Sequence, residues 1–303
     1  MESRIKTVTL VGAGTMGVKI SAHSLISGFT VRLYDAYPAA VEKAKTLVKA
    51  EVEAGILSKL ITSDPADILR NISFHNDLKT AVSGTDLIIE AVPESLELKK
   101  QVFSQLDEIA PAHTIIATNS SSIPITRIEG AVKRKDKVAN IHFYAAVVIN
   151  SAFVDLMRGT QTSENTFARC REWIESLGCI ALIVKKECMG FVFNRIWHAV
   201  KREVLASWAG GYADFKDIDR AWKLWSGMTA GPFGMMDYVG LDVVYDIEMS
   251  YYLDSNNPID RPPDALKAMI DRGELGLKTG KGFYDWSDPE FLKPEFTSLN
   301  PKI

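Results

Sequence analysis

The 303-residue sequence has few cysteines, little net charge and no long uninterrupted apolar run. Its three cysteines, Cys170, Cys179 and Cys188, have a spacing that matches no common metal-ligand pattern, and their odd number disfavours a disulfide framework. A membrane-spanning helix needs about 20 predominantly apolar residues in a row, and no segment supplies them. We therefore expect reduced, mostly buried thiols, no metal site and no membrane partner.

The charge balance also excludes some classes of partner. A formal net charge of −3 gives no electrostatic reason to expect a nucleic acid. With 47% hydrophobic residues the chain can bury a core, which excludes a disordered protein. The first residues run directly into an apolar stretch without a signal-peptide pattern. We expect a cytoplasmic protein that acts on a small molecule.

Apolar runs and helical patterns alternate in the first half of the chain. Strand-like runs occur at Thr7–Val11, Thr30–Tyr34, Leu87–Val92, Thr114–Thr118, Val138–Phe143 and Cys179–Val184. Helical patterns occur at Gly14–Ser27, Pro38–Ala54, Leu96–Ile109 and Phe167–Leu177, the last with Thr162 or Ser163 as cap. Strands that are apolar throughout and alternate with helices are typical of a parallel sheet covered on both faces.

Only helical periodicity follows, at Phe191–Ala209, Phe215–Leu224, Tyr238–Leu253 and Asp264–Arg272. The sequence therefore predicts an α/β fold, a Rossmann-type doubly wound parallel sheet followed by an all-helical C-terminal domain. We place the α/β domain at residues 1–187 and the helical domain at residues 188–303.

A glycine-rich turn, Gly12-Ala13-Gly14-Thr15-Met16-Gly17, joins the first strand to the first helix. In that context the first glycine permits a tight turn, the second lets the backbone approach a pyrophosphate, and the third allows close packing of helix on strand. The free N–H groups at the helix start suit a diphosphate. The turn predicts a dinucleotide site.

The second strand is followed by Asp35, at about the distance of 20 residues expected for an acidic residue that binds ribose. A carboxylate there accepts hydrogen bonds from the ribose hydroxyls and repels a 2′-phosphate. NAD is therefore the expected cofactor. Arg32 is close in sequence, and strand alternation directs it away from Asp35 if the register holds.

Oxidation of an alcohol by hydride transfer needs a base, for which histidine is suited. Of the five histidines, His142 ends a strand, at the carboxyl edge of the sheet where open α/β folds bind ligands. The contexts of His23, His75, His113 and His198 favour packing or solvent exposure. His142 is the candidate base, with a structural role as the alternative.

From Gly12 to Trp286 the chain resembles the L-3-hydroxyacyl-CoA dehydrogenase family. The matching stretches are Gly12–Gly17, Glu90–Glu94, Leu96–Lys99, Thr118–Ser122, His142-Phe143, Gly190–Arg195, Gly231–Phe233, Asp237–Asp242 and Lys278–Tyr284. The resemblance implies reversible, NAD-linked oxidation of an L-3-hydroxyacyl-CoA to the 3-ketoacyl-CoA. It also implies a homodimer formed by the helical domain, whose apolar helices carry Trp197, Trp208, Trp222 and Trp225.

Site residues follow from the same resemblance. It implies that His142 is the general base and that Ser121 and Asn194 bind the substrate oxygen and hold the histidine. Asp155, in Phe153-Val154-Asp155, takes the place of a family glutamate that partners the histidine; the alternative is a strand-end aspartate that faces water. To the glycines and Asp35 the resemblance adds cofactor contacts at Thr15, Met16, Glu94, Lys99 and Asn119. Lys99 and Lys100 are also candidates for binding the CoA moiety, or else solvated lysines on an exposed helix.

The sequence departs from the family after His142. Ala145–Ile149 replace the asparagine and proline that the family usually carries there. One interpretation keeps acyl-CoA chemistry with a repacked loop. Another is a pocket reshaped for a different ketone or hydroxy compound without CoA, and a 3-hydroxy-acid or carnitine-type dehydrogenase is a related alternative. A catalytically silent NAD-binding structural protein is the alternative from another class.

Overall fold

The computed structural model describes residues 4–59, 63–144 and 153–298. The chain divides into two compact units, Met1–Val192 and Phe193–Ile303. This division lies a few residues beyond the boundary at residue 187 that the sequence suggested.

The first unit is built on one eight-stranded sheet. Its strands are β1 (Thr7–Val11), β2 (Thr30–Tyr34), β3 (Ile72–His75), β4 (Leu87–Glu90), β5 (Ile115–Thr118), β6 (Val138–His142), β7 (Phe153–Arg158) and β8 (Ile180–Val184). They lie in the order β3-β2-β1-β4-β5-β6-β7-β8. Strands β1 to β6 are mutually parallel, whereas β7 is antiparallel to β6 and β8 is parallel to β7.

Helices cover both faces of this sheet. They are α1 (Thr15–Ile26), α2 (Pro38–Lys59), α3 (Pro65–Leu69), α4 (Leu78–Val82), α5 (Leu96–Ile109), α6 (Ile125–Ile128) and α7 (Glu164–Ser176). Because strand side chains alternate between faces, Leu87 and Ile89 join the core under α1, α2 and α7, while Ile88 joins the core under α5 and α6. The predicted two-sided sheet is confirmed.

Two features of the sheet differ from the expectation. The edge strand β3 was not predicted, because it is short and only partly buried and so lacks a clear apolar pattern. The sequence predicted a parallel sheet, which β1 to β6 form; it did not predict that β7 and β8 run antiparallel to those six strands. About ten residues join β6 to β7, and a parallel crossover usually needs a dozen or more.

The second unit is helical. It contains α8 (Phe193–Ala209), α9 (Phe215–Ser226), α10 (Pro232–Val239), α11 (Leu241–Ser255) and α12 (Asp264–Asp271). A single helix over Tyr238–Leu253 was expected, but Gly240, at φ 100°, separates α10 from α11. Among the described residues, no helix is both long and apolar enough to cross a membrane.

Two buried aspartates tie the second unit together. Asp219 accepts hydrogen bonds from the N–H groups of Phe233 (2.8 Å) and Gly234 (2.9 Å) and from the Tyr284 hydroxyl (3.0 Å). Asp237 accepts from the N–H groups of Phe283 (3.0 Å) and Tyr284 (2.9 Å). The aspartates thus hold the segments around Gly231–Phe233 and Lys278–Tyr284, so these motifs form the fold of this unit.

Asp219 predicts a specific pH dependence of stability. Burial raises its pKa from 3.8 to about 6, despite the N–H groups of Phe233 and Gly234. The Asp219 carboxyl group therefore binds its proton more tightly in the folded protein than in the unfolded chain. As the pH rises from about 4 to about 6, the folded state loses about 3 kcal/mol of stability relative to the unfolded state, because Asp219 must ionise while buried. Urea unfolding should therefore show that the free energy of unfolding of wild type falls relative to that of Asp219→Asn as the pH rises across this range. Asp217→Asn, at an exposed position of α9, should show no such shift; a flat difference for Asp219→Asn contradicts the assignment.

Candidate active site

The glycine-rich turn lies between the carboxyl end of β1 and the start of α1. Gly12 has φ +114°, and a Cβ there would lie 2.6 Å from the carbonyl oxygen of Ala91. A Cβ at Gly17 would lie 1.9 Å from the carbonyl oxygen of Gly12. A Cβ at Gly14, the N-cap of α1, would meet nothing within 4 Å. The first and third glycines are therefore required by close contacts, and the second leaves open space at a helix N-terminus, where a pyrophosphate fits.

Asp35 is held against this turn. Its carboxylate accepts hydrogen bonds from the N–H groups of Ala13 (2.8 Å) and Tyr37 (2.9 Å). The Arg32 guanidinium instead donates to the carbonyls of Ala81 and Ser83, which precede β4. Arg32 is thus committed to these carbonyls, and the negative charge of Asp35 remains next to the glycine turn. This geometry fits an NAD ribose.

We expect Asp35→Asn to weaken NADH binding about tenfold and to reduce the preference for NADH over NADPH, because an amide offers one acceptor fewer and no charge to repel a 2′-phosphate. Fluorescence titration with each cofactor measures both effects. Asp67→Asn, an exposed position on α3, is the matched control. Unchanged discrimination between the two cofactors in Asp35→Asn would contradict this role.

A buried ionic network lies at the carboxyl end of β4. Glu90 is fully buried, and its carboxylate accepts hydrogen bonds from Lys99 Nζ (2.8 Å), Val92 N–H (2.7 Å) and the Thr118 hydroxyl (2.7 Å). Lys99, on α5, is 1% exposed and also lies 3.2 Å from the partly exposed Glu94 carboxylate. The network connects the sheet interior to Glu94.

The alternative that Lys99 is a solvated lysine on an exposed helix is wrong, because the side chain is buried, whereas its contact with a ligand stays a prediction. The carboxylates of Glu90 and Glu94 compensate its burial, as a buried ammonium group requires. Its neighbour Lys100 is exposed. The sequence pattern indicated no separate role for Glu90, which belongs to the Glu90–Glu94 motif. The missed signal was a carboxylate at the end of a strand that is otherwise wholly apolar.

Glu94 is fixed by serines of the loop after β5. Its carboxylate accepts hydrogen bonds from the hydroxyls of Ser120 and Ser122. Burial favours the neutral acid, but the Lys99 ammonium and these serine hydroxyls outweigh it and hold the pKa of Glu94 below its usual range. Glu94 is therefore an anionic acceptor at the carboxyl edge of the sheet.

His142 and Asp155 are brought together by strand pairing. The two residues lie opposite each other on the antiparallel strands β6 and β7, both buried. His142 Nδ1 lies 3.2 Å from Asp155 Oδ2. The rings of Tyr144 and Phe191 lie 4.5 Å and 5.5 Å from the imidazole, between centroids. Asp155 thus faces the histidine and not water, and the pair has the geometry of a base with an acidic partner.

The other candidate residues occupy different places. Asn119 Oδ1 accepts from Phe143 N–H (2.9 Å), which ties the loop after β5 to the end of β6. Ser121 is half-buried in that same loop. Thr15 and Met16 begin α1. Asn194 begins α8 in the second unit, and its approach to His142 stays a prediction. Residues 145–149, where the sequence departs from the family, lie outside the described residues.

The strand register places these groups along one edge. Val11 pairs with Glu90, Glu90 with Thr118, and Thr118 with Asn140, two residues before His142. The glycine turn, Glu94, Asn119 and His142 therefore follow the carboxyl ends of adjacent parallel strands. This edge is where open α/β sheets bind ligands. The described residues contain no group of three or more His, Cys, Asp or Glu side chains positioned to hold a metal.

Comparison with known proteins decides the family. Residues 7–188 match the model of the 3-hydroxyacyl-CoA dehydrogenase NAD-binding domain, and residues 190–286 match the C-terminal domain of the same family. The chain belongs to the 3-hydroxyacyl-CoA dehydrogenase family. It therefore carries the NAD-binding domain of that family and is an NAD-dependent oxidoreductase.

Individual relatives and solved structures resemble the chain over nearly its whole length. The mitochondrial hydroxyacyl-coenzyme A dehydrogenase of Rattus norvegicus is 34% identical, over 93% of this chain and 91% of the relative. The structure of (S)-3-hydroxybutyryl-CoA dehydrogenase from Ralstonia eutropha is 34% identical, with a TM-score of 0.83 over 94% of this chain and 100% of that one. A diketoreductase structure, from work on dicarbonyl compounds, is 33% identical with a TM-score of 0.83, over 93% and 99% of the two chains.

Proposed function

We propose that the protein catalyses the reversible, NAD-dependent oxidation of an L-3-hydroxyacyl-CoA to the 3-ketoacyl-CoA, with His142 as general base. The observation that carries this proposal is the buried pair of His142 and Asp155, on the same sheet edge as the glycine turn and Asp35. Family membership supports the same reaction.

Each side chain of the site has a separate role in the proposed reaction. The glycine turn and Asp35 would hold NAD, which would supply the acceptor for the hydride that leaves the alcohol carbon. His142 takes the hydroxyl proton through Nε2, because Nδ1 faces Asp155. The Asp155 carboxylate fixes the tautomer and stabilises the imidazolium that forms. Ser121 and Asn194 donate hydrogen bonds to the substrate oxygen, and in the reductive direction they stabilise the alkoxide as it forms.

Substrate class is tested by comparing acetoacetyl-CoA with a CoA-free 3-keto ester, each at neutral pH with NADH. We expect a kcat/KM for acetoacetyl-CoA at least tenfold higher, because binding energy from remote parts of a substrate contributes to catalysis. Equal or higher kcat/KM for the ester would contradict a requirement for CoA.

The second candidate is a ketone or hydroxy-acid dehydrogenase that does not require CoA. Two observations favour it: Lys99 is buried and paired with carboxylates, and the diketoreductase matches the chain as well as the CoA dehydrogenase structure does. Turnover of the keto ester with little or no turnover of acetoacetyl-CoA is the result that supports this candidate.

We further propose that residues 188–303 form the dimerisation and substrate domain of a symmetric homodimer. The apolar side chains of Ile196, Trp225, Val243 and Ile247 are 58%, 82%, 42% and 39% exposed in the second unit, which suits an interface between subunits. Light scattering that gives the mass of a monomer at micromolar concentration would contradict the dimer. The cytoplasmic location stays a prediction.

A further inference from the structure

Tyr144 shares a carboxylate oxygen with the proposed base. Its hydroxyl donates a hydrogen bond to Asp155 Oδ2, the same oxygen that lies 3.2 Å from His142 Nδ1. Tyr144 is buried, and its ring packs edge-on against the imidazole and, at 5.1 Å, against Phe153. The two donors therefore meet at one oxygen inside the protein.

This arrangement has two physical consequences for Asp155. A second donor restricts the carboxylate to one orientation, which matters because aspartate is a methylene shorter than the glutamate that the family resemblance implies at this position. Donation from a neutral hydroxyl also disperses the negative charge on Oδ2, so the carboxylate attracts an imidazolium less strongly. In a buried site both effects are larger than in water.

We propose that Tyr144 is a positioning residue that holds the short side chain of Asp155 and weakens its attraction for protonated His142. Within the part of the chain that the structure describes, the groups that contact the His142 ring are the Asp155 carboxylate on β7, Tyr144 just beyond β6, and the apolar ring of Phe191. Removal of the Tyr144 hydroxyl is therefore expected to strengthen the attraction of Asp155 for protonated His142. This inference rests on the proposed function where the test uses the kcat/KM of the reaction.

The pH profile of Tyr144→Phe tests the proposal. Loss of the hydroxyl leaves more charge on Asp155, which favours imidazolium, so the midpoint of the kcat/KM profile for oxidation should move to higher pH by about 0.5–1 unit. Below the midpoint, kcat/KM should fall about threefold to tenfold, and above it the loss should disappear. A merely structural role would lower kcat/KM equally at every pH, and that uniform loss, or an unchanged profile, would overturn the proposal.

Tyr284→Phe is the matched control, because it removes another buried tyrosine–aspartate hydrogen bond, that to Asp219, in the second unit. It should leave the midpoint of the profile unchanged. A shift equal to that of Tyr144→Phe would overturn the assignment to Tyr144.

A double-variant cycle tests the link to the length of Asp155. We expect Asp155→Glu alone to lower kcat about tenfold, because the longer side chain meets the Tyr144 hydroxyl, and Asp155→Glu with Tyr144→Phe to recover most of that loss. Strictly additive losses would contradict the coupling.

Nuclear magnetic resonance titration of the His142 imidazole, assigned with His142→Gln, separates this inference from the proposed function. The titration midpoint should rise in Tyr144→Phe whether or not the assayed substrates are turned over. An unchanged midpoint would overturn the inference even if acetoacetyl-CoA is the substrate.

Discussion

His142→Ala should lower kcat by about 10²–10⁴-fold while leaving NADH binding within about twofold of wild type. The side chain is the proposed proton acceptor, and it lies on the last residue of β6 and not in the glycine turn that binds the pyrophosphate. Loss of the base therefore affects the chemical step and not cofactor affinity. The measurements are turnover of acetoacetyl-CoA and fluorescence titration with NADH.

The control for this variant is His113→Ala, which removes a histidine that is 46% exposed and contacts Asp86. It should keep wild-type turnover. The same two variants test the alternative of a catalytically silent structural protein. Such a protein would show no turnover in wild type and no difference between His142→Ala and His113→Ala. Retention of more than a tenth of the wild-type kcat in His142→Ala would exclude a catalytic base at this position.

Lys99→Met should lower the free energy of unfolding by about 3–5 kcal/mol, because it leaves the fully buried carboxylate of Glu90 without its cation. NADH affinity should fall as well, since Glu94 loses the ammonium group beside it. Urea unfolding followed by tryptophan fluorescence measures the first effect, and NADH titration measures the second.

Two further variants make this prediction specific. Lys100→Met, at the exposed neighbouring position of α5, should change stability by less than about 0.5 kcal/mol. Lys99→Met combined with Glu90→Gln removes both charges and should recover more than half of the loss. If Lys99→Met is as mild as Lys100→Met, the buried network does not stabilise the protein as described.

Local features of the site could be predicted from the sequence. The glycine turn and Asp35 are encoded within one βαβ segment, and their contacts depend on neighbouring strands that the apolar pattern already indicated. His142 was predictable because the end of a buried parallel strand is a place for ligands.

Features that depend on distant pairing were not predictable. The sequence around Lys99 is typical of a surface lysine, and only the contact with Glu90, on another element, explains its burial. The contact of Tyr144 with Asp155 depends on the antiparallel register of β6 and β7, and the apolar pattern of a strand carries no information about its direction. The break at Gly240 between α10 and α11 had no signal beyond one glycine within a helical pattern.

The most direct test of the proposed function is NADH consumption with acetoacetyl-CoA at neutral pH, with NADPH in a parallel reaction and with the product identified. We expect one 3-hydroxybutyryl-CoA formed for each NADH oxidised, and a kcat/KM at least tenfold lower with NADPH. NADH binding without turnover of acetoacetyl-CoA or of a CoA-free 3-keto ester would contradict the assignment of a dehydrogenase.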